Sequence, residues 1–146
     1  MTALLTQVGD DPYGQVITDH LAASHVHVLS QSITALPTST AVAHIAADGK
    51  ADYVFDVQWG SFDPPQTSAR LIHTGAIAVF LEPGATAVQV TIKQAGAAEM
   101  TFDPNIRPAL LGDHASAVTA FERTAALATV VKRVSAPASK PAALNR

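Results

Sequence analysis

The sequence predicts an α/β fold, with a doubly wound, mostly parallel sheet and an inserted β-hairpin. Short apolar runs alternate along the chain with segments in which apolar residues recur at helical spacing. In the middle, two period-two runs, 38–45 and 51–57, are separated by Asp48 and Gly49, a pair that favours a hairpin turn. Because a hairpin does not belong to a simple strand–helix–strand repeat, we expect it to form a flap or a small second sheet.

Composition limits the classes of protein that remain. The chain has 146 residues, 48% hydrophobic and 14% charged, which is enough to bury the core of one domain. A net charge of −3 gives no electrostatic reason to expect a nucleic-acid partner. The absence of cysteine excludes disulfides and thiolate metal sites, and no apolar run approaches the ~20 residues that cross a membrane. With no secretion signal in its first residues, we expect a cytoplasmic protein without membrane or nucleic-acid partners.

The first elements follow from turn and capping residues. The apolar run 3–8 ends in a turn and predicts a strand. Pro12 suits the first turn of a helix that Asp10 or Asp11 can cap. Residues 25–28 then alternate as a short strand does. The residues that recur at helical spacing on one side of this helix are Val16, Ile17, His20, Leu21 and Ser24.

The alternation of strand and helix resumes after residue 70. The predicted strands are 71–73, 97–102 and 129–132, and the predicted helices are 83–96 and 113–127. Asp113 is a suitable cap for the last helix. The expected apolar sides carry Val88, Ile92 and Ala95 in the first helix, and Val118, Phe121, Ala125 and Leu127 in the second. Residues 135–146 contain two prolines and no periodicity, which predicts a disordered tail.

A polar motif follows the strand predicted over 97–102. Asp103, Asn105 and Arg107 are interleaved with two prolines that hold them out of a helix. A loop after a parallel strand is where open α/β sheets bind ligands, and these side chains can bind a cation, a hydroxyl, a carboxylate or a phosphate. In the alternative interpretation, Asp103 caps the next helix, Asn105 forms an Asx-turn and Arg107 is solvated. Spacing alone leaves both open.

Four motifs, in the order in which they occur along the chain, resemble those of the PfkB (ribokinase-like) carbohydrate kinases. Their sequences are nearest those of the fructokinase branch. They are Val8-Gly9-Asp10-Asp11-Pro12-Tyr13-Gly14, the Asp48-Gly49 hairpin with Tyr53-Val54-Phe55, Leu71-Ile72-His73-Thr74-Gly75, and Phe102-Asp103-Pro104-Asn105-Ile106-Arg107-Pro108. The resemblance implies a ribokinase-like doubly wound sheet with a β-hairpin lid. It places a partial kinase domain over 1–134, its lid over about 38–58 and a tail over 135–146.

The resemblance also implies a reaction, the phosphorylation of a sugar hydroxyl by ATP with magnesium. The family's Gly-Ala-Gly-Asp motif, which supplies the catalytic base, does not occur in this sequence. The family's opening strand and its Gly-Gly-x-x-x-Asn segment would precede Met1, and Ala138 stands where a magnesium-ordering acid is expected. We therefore expect a member truncated at both ends, with no catalytic residue, no ATP site and no activity on its own.

Carried over residue by residue, the resemblance implies substrate binding by Asp103, Asn105, Arg107 and Gly75. Arg107 would bind an anionic group, Asp103 would hold the loop or a magnesium-bound water, and Gly75 would let the sugar approach the backbone. The residues that we expect to serve as turn, cap or packing instead are Asp10, Asp11, Gly14, Tyr53, Phe55 and Trp59. No helical histidine pair supports a metal site, so none is predicted.

Three functional hypotheses remain open. The chain is a sugar kinase that needs missing parts, a non-catalytic remnant, or a translated fragment without a stable fold. A remnant would bind a small-molecule sugar or form a homodimer through the exposed lid hairpin. The fructokinase-like sequence of the loop at Asp103 favours fructose as the substrate. An adenosine-type substrate and a 2-keto sugar acid remain alternatives, and Arg107 would suit the acid.

Overall fold

The computed structural model describes residues 1–49, 51–66 and 68–132, and the tail predicted over 135–146 lies outside this part. Within it, the helices are α1 (Pro12–Ala23), α2 (Gly84–Ala95) and α3 (His114–Ala125). The strands are β1 (Thr2–Leu4), β2 (Val8–Gly9), β3 (Val26–Val28), β4 (Ile33–Thr34), β5 (Thr40–Ile45), β6 (Ala51–Asp56), β7 (Leu71–Gly75), β8 (Glu99–Asp103) and β9 (Val130–Val131). None of these helices combines the length and the apolar character needed to cross a bilayer.

Strand pairing separates parallel sheets from one antiparallel hairpin. β1 pairs with β3 and β2 with β4, both in parallel, while β7, β8 and β9 form a parallel sheet in that order. β5 and β6 form the hairpin, from Thr40 opposite Asp56 to Ile45 opposite Ala51. Because helices connect the parallel strands, the predicted mostly parallel sheet with a separate hairpin is confirmed.

Helix α1 begins where its cap was expected but buries less of its apolar side. Asp11 rather than Asp10 is the N-cap, and its carboxylate accepts from the Gly14 backbone N at 2.9 Å. The predicted helix is confirmed, but Val16 is 67% exposed and Ile17 36%, so these two residues at helical spacing do not belong to the core. The helix packs on β2 and β3, and Gly14 is its one buried residue among those described.

Helices α2 and α3 pack together through a polar pair. Ile92 and Ala95 of α2 are buried as predicted, and Gly96 ends the helix with a left-handed φ of 57°. In α3 the predicted apolar side is partly wrong, because Val118 is 40% exposed and Leu127 37%. Its buried residues are Ala120 and Thr124. The Thr124 hydroxyl accepts from Gln89 Nε2 at 2.7 Å and donates to the Ala120 carbonyl at 2.8 Å.

The first predicted strand is split by two side-chain contacts. The run 3–8 forms β1 and β2, each with its own partner strand. Between them, the Thr6 backbone N donates to Ser32 Oγ at 3.0 Å, and the Gln7 side chain binds Gly60. These contacts take residues 5–7 out of any strand. His25 also lies outside its predicted strand, with a left-handed φ of 56°.

The core of the C-terminal half lies between the three-stranded sheet and its helices. Met100 and Phe102 of β8 are 3% and 1% exposed. The Phe102 ring lies 5.7 Å from that of Phe121 in α3. Since side chains alternate along a strand, Thr101 and Asp103 lie on the opposite face of β8. Because Met100 and Phe102 are buried in the core, Thr101 and Asp103 are the side chains of β8 that can face a ligand at its carboxyl end.

Candidate functional site

A cleft separates the hairpin from the carboxyl ends of β7 and β8. It contains two adjoining cavities of about 510 and 270 Å³, and Ala41, Phe55 and Arg107 line both. Because ligands bind at the carboxyl ends of parallel strands, this cleft is the candidate site. The larger cavity is also lined by Ala51, Asp52 and Tyr53, and the smaller by Ser39, Thr40, Val57, Ala76, Ile77, Asn105 and Leu110.

One face of the hairpin forms a wall of the cleft. Ala41 lies opposite Phe55 in the register, and Tyr53 lies two residues from Phe55 on the same face. The Tyr53 and Phe55 rings stack, with centroids 5.8 Å apart and planes at 16°. Tyr53 is 53% exposed, so part of its ring remains accessible. The two rings therefore pack on each other as expected and also line the cleft.

Trp59, just after the hairpin, has a packing role. Its indole Nε1 donates to the Ala78 carbonyl at 3.0 Å, and its ring meets Phe62 edge-on at 6.0 Å. A Cβ atom at Gly84 would collide with the indole, so the start of α2 lies directly against it. The expectation that Trp59 packs rather than binds a ligand is in accord with this position.

Asp103 ends β8 and pairs with a lysine from the next strand. Its Oδ2 accepts from Lys132 Nζ at 2.7 Å, just beyond β9. This hydrogen bond is the largest cause that lowers the pKa of the Asp103 carboxyl. The interpretation in which Asp103 caps the next helix is wrong. Asp113 is the N-cap of α3 and accepts from the Ser116 backbone N at 3.0 Å.

Asn105 and Arg107 both reach the cleft from the loop after β8. Asn105 has a left-handed φ of 33°, a region that asparagine tolerates better than most residues. Arg107 is exposed, and its backbone is extended before Pro108. Of the predicted site residues, these two line the cavities, whereas Asp103 lies at the adjacent strand end and lines neither.

Gly75 lies at the rim of the cleft for a reason that concerns packing. It is the last residue of β7 and stands opposite Asp103 in the register. A Cβ atom at Gly75 would collide with the Asp103 carbonyl oxygen, so close approach of the two strand ends requires a glycine here. The residues that follow, Ala76 and Ile77, line the smaller cavity in place of Gly75.

Sequence reasoning missed several residues of the site. Lys132 was predicted only as the end of a strand, and Ala76, Ile77, Leu110 and Ser39 were not singled out. The signal for Lys132 was available. Because carboxyl ends of adjacent parallel strands meet at one edge, a lysine at the end of the last strand belongs beside Asp103.

Metal-ligating side chains are not clustered in the part of the chain that the structure describes. In residues 1–49, 51–66 and 68–132, no group of three or more His, Cys, Asp or Glu side chains could hold a metal ion. Asp103, which precedes the loop after β8, is ion-paired with Lys132 at 2.7 Å. No glycine-rich phosphate loop occurs in the sequence. We therefore assign no metal or nucleotide contact to individual residues.

The family follows from comparison with known proteins. A model described as pfkB family carbohydrate kinase matches residues 1–133. The chain belongs to this family. It is 30% identical over 141 residues to a fructokinase of Rhizobium leguminosarum bv. trifolii, covering 90% of this chain and 43% of the relative. It is 32% identical over 143 residues to a fructokinase of Klebsiella pneumoniae, covering 90% and 46%. The chain thus spans less than half the length of these relatives.

Solved structures of the family confirm the fold. Fructokinase from Vibrio cholerae O395 in apo form superposes with a TM-score of 0.76 at 23% identity, over 88% of this chain and 48% of that one. Fructokinase from Xylella fastidiosa gives 0.70 at 20% identity, over 88% and 43%. The ribokinase-like α/β fold is therefore confirmed, and it is incomplete relative to these structures.

Proposed function

We propose that this chain is the sugar-binding part of an ATP-dependent, fructokinase-like carbohydrate kinase. The observation that carries the proposal is the cleft between the hairpin and the ends of β7 and β8, with Arg107 on one side and Phe55 on the other. The hairpin would close over the sugar as a lid. The Vibrio cholerae fructokinase solved with fructose, ADP and calcium ion supports these classes of ligand.

The lining residues suit a polyhydroxylated ligand. The accessible part of the Tyr53 ring offers an apolar face to the C–H groups of a sugar, while Asn105 can donate to and accept from hydroxyls. Arg107 can bind a carboxylate or phosphate through two parallel hydrogen bonds. Asp103 would act from the rim, where its hydrogen bond from Lys132 holds the start of the loop.

Phosphoryl transfer would depend on segments that the relatives have beyond the matched region. It requires a positioned base and groups that stabilise the charge developing on the transferred phosphoryl. The Gly-Ala-Gly-Asp motif that supplies the base in the family does not occur in these 146 residues. ATP and magnesium are therefore proposed for the complete kinase, and this chain alone would bind sugar without phosphorylating it.

A second candidate is a non-catalytic remnant that forms a homodimer through the hairpin. The observation that favours it is the outer face of the hairpin, away from the cleft. There Val42 and Val54 lie opposite each other and are 51% and 58% exposed. Sedimentation equilibrium of the chain and of a Val54→Lys variant discriminates the two candidates, because a hairpin dimer dissociates in the variant while sugar binding in the cleft persists.

Calorimetric titration of the chain tests the proposed function. Fructose and a 2-keto sugar acid are titrated separately into the wild type, into Arg107→Ala, and into Arg70→Ala as an exposed control outside the cleft. We expect Arg107→Ala to weaken binding of the acid by about tenfold or more, because a charge-assisted pair is lost, and binding of fructose by less. Arg70→Ala should change neither. A folded chain that binds no sugar would overturn the proposal.

A further inference from the structure

The hairpin is fastened to the rest of the chain just before β5. The Thr38 backbone N donates to Asp11 Oδ2 at 2.8 Å, and the Thr38 hydroxyl donates to Asp11 Oδ1 at 2.8 Å. The same hydroxyl accepts from the Gly9 backbone N at 2.9 Å. Thr38 is only 7% exposed, so these bonds are largely shielded from water and a lost partner would be costly. We call these three residues the hairpin-base contact.

Asp11 therefore does more than cap a helix. It accepts from the Gly14 backbone N within α1 and from two groups of Thr38 at the hairpin. Asp113, the N-cap of α3, accepts from Ser116 of its own helix. The bonds from Thr38 and Gly14 lower the pKa of the Asp11 carboxyl, which keeps both of its oxygens available as acceptors.

The segment that follows β6 is hydrogen-bonded to the segment that precedes β5. The Gln58 backbone N donates to Ser39 Oγ at 2.9 Å, and Ser39 Oγ donates to the Gln58 carbonyl at 3.1 Å. Ser39 follows Thr38 directly and also lines the smaller cavity of the cleft. The two strands thus leave the body of the protein side by side, and the hairpin-base contact sets their common direction.

We propose that Asp11 is a positioning residue, which through Thr38 sets the angle at which the hairpin faces Arg107 across the cleft. The inference rests on the proposed function where it treats the hairpin as a lid. Six residues per strand extend about 20 Å, so a rotation of about 10° at the base moves the tip by about 3 Å. A small change at Thr38 would therefore open or close the larger cavity.

Two substitutions separate the cap from the hairpin-base contact. Asp11→Asn keeps an oxygen for Gly14, since asparagine is as good an N-cap as aspartate, but it turns an amide NH₂ toward the Thr38 backbone N. Thr38→Val removes the hydroxyl at nearly constant volume, and Thr38→Ser retains it. Asp113→Asn is the matched control, an equivalent substitution at a helix cap without a contact to the hairpin.

Amide hydrogen exchange on the complete 146-residue chain, without ligand, is the measurement. We expect Asp11→Asn and Thr38→Val to exchange about tenfold faster over 38–58, the effect of losing about one hydrogen bond. Exchange in α1 should stay within twofold of wild type in Asp11→Asn. Thr38→Ser should restore the wild-type rate, and Asp113→Asn should leave the hairpin unchanged. The fluorescence emission of Trp59, the one tryptophan of the chain, should shift in the same variants in which amide exchange over 38–58 becomes faster.

Wild-type exchange over 38–58 in folded Asp11→Asn would overturn the proposal, as would faster exchange confined to α1. If Thr38→Val loses its far-ultraviolet circular dichroism, the comparison of Asp11→Asn with Asp113→Asn decides. A separate arm adds fructose to the wild type. Missing protection there would count against sugar binding, while the ligand-free comparison still decides whether Asp11 positions the hairpin.

Discussion

Gly75 and Ala76, at the end of β7, are both restricted, but for different reasons. Gly75 is extended and lies so close to the Asp103 carbonyl that no side chain fits. Ala76 has a left-handed φ of 51°, which costs a residue with a Cβ atom about 1–2 kcal/mol. Both features lie where the chain leaves β7 beside the smaller cavity, so residue choice is restricted at this rim of the cleft.

Substitutions at this pair should have unequal effects. We expect Gly75→Ala to lower the free energy of unfolding by about 2 kcal/mol or more, because the strand ends must separate. Ala76→Gly should change it by less than about 1 kcal/mol, since relief of the left-handed strain offsets the added flexibility of glycine. Urea denaturation followed by circular dichroism measures both. Wild-type stability of Gly75→Ala would show that β8 tolerates a shift.

The ion pair of Asp103 and Lys132 predicts a pH dependence. The pKa of Asp103 lies below its ordinary value of 3.8, chiefly through the hydrogen bond from Lys132. Because folding lowers this pKa, the contribution of the pair to stability is complete above the unfolded value and disappears as pH falls through the folded value. Between those two pH values, stability should therefore rise with pH.

Lys132→Met should raise the pKa of the Asp103 carboxyl toward 3.8, which titration of its carbon resonance by nuclear magnetic resonance would measure. Lys93→Met, in the last turn of α2, is the control that should leave Asp103 unaffected. An unchanged Asp103 titration in Lys132→Met would mean that the two side chains are not paired in solution. At neutral pH the change in stability should be small, because Lys132 is largely exposed.

At the scale of elements, α2 and α3 are joined by the buried pair of Gln89 and Thr124. Gln89 Nε2 donates to Thr124 Oγ1, while Gln89 Oε1 has no partner among the described residues. A buried acceptor without a partner costs about 1–3 kcal/mol. The buried residues of α3 are Ala120 and Thr124, whereas Val118, whose hydrophobicity predicted burial, is exposed.

Substitution of this pair should therefore be asymmetric. Gln89→Met fills the same space without an unpaired oxygen, and the Thr124 hydroxyl still donates to Ala120, so we expect stability equal to wild type or higher by about 1 kcal/mol. Thr124→Val removes the hydroxyl that accepts from Gln89 Nε2, and it should lower the free energy of unfolding by about 1–3 kcal/mol. Chemical denaturation of both variants provides the comparison. Equal losses would contradict the unpaired state of Gln89 Oε1.

In the whole molecule, Gln7 connects the N-terminal strands to the loop that follows the hairpin. Gln7 Nε2 donates to the Gly60 carbonyl at 2.6 Å, and Gln7 Oε1 accepts from the Gly60 backbone N at 2.7 Å. Gln7 is only 9% exposed, and its side-chain amide pairs with both backbone groups of Gly60 as a residue of a neighbouring strand would. Next to this contact, Trp59 is bonded to Ala78 in the C-terminal half. The hairpin thus ends at the junction between both parts.

Gln7→Leu should weaken that junction. It leaves two partly buried backbone groups of Gly60 unpaired, for which we expect a loss of about 2 kcal/mol. The unfolding transitions of Trp59 fluorescence and far-ultraviolet circular dichroism should also cease to coincide, because the halves would unfold separately. Gln94→Leu, at an exposed position of α2, is the control. Coincident transitions in Gln7→Leu would show that other contacts couple the halves.

The described structure also leaves apolar side chains exposed on several elements. The larger ones include Val16 and Ile17 on α1, Leu71 on β7, Val90 on α2, Val118 on α3 and Val130 on β9. In relatives more than twice as long, further segments are available to cover such surfaces. The chain and its relatives therefore differ in how much apolar surface can be buried, and exposed apolar patches of this kind favour association.

The sequence by itself determined the kind and order of most elements, the hairpin turn and the family. Apolar periodicity, capping residues and the Asp48-Gly49 turn act within a few positions along the chain, so they can be recognised without a structure. Four ordered motifs were enough to identify the family that matches residues 1–133. The alternatives for Asp103, and the choice between Asp10 and Asp11 as cap, stayed open at that level.

Only the tertiary structure decided which sides of α1 and α3 are buried and which partners the polar residues take. Asp11 meets Thr38 across 27 positions, and Asp103 meets Lys132 across 29. The periodicity and capping patterns that predict the elements do not identify such pairs, because the contacts depend on how distant strands and helices come together. The assembly of Arg107, Asn105 and the hairpin around one cleft has the same origin, since parallel strands bring their carboxyl ends to one edge.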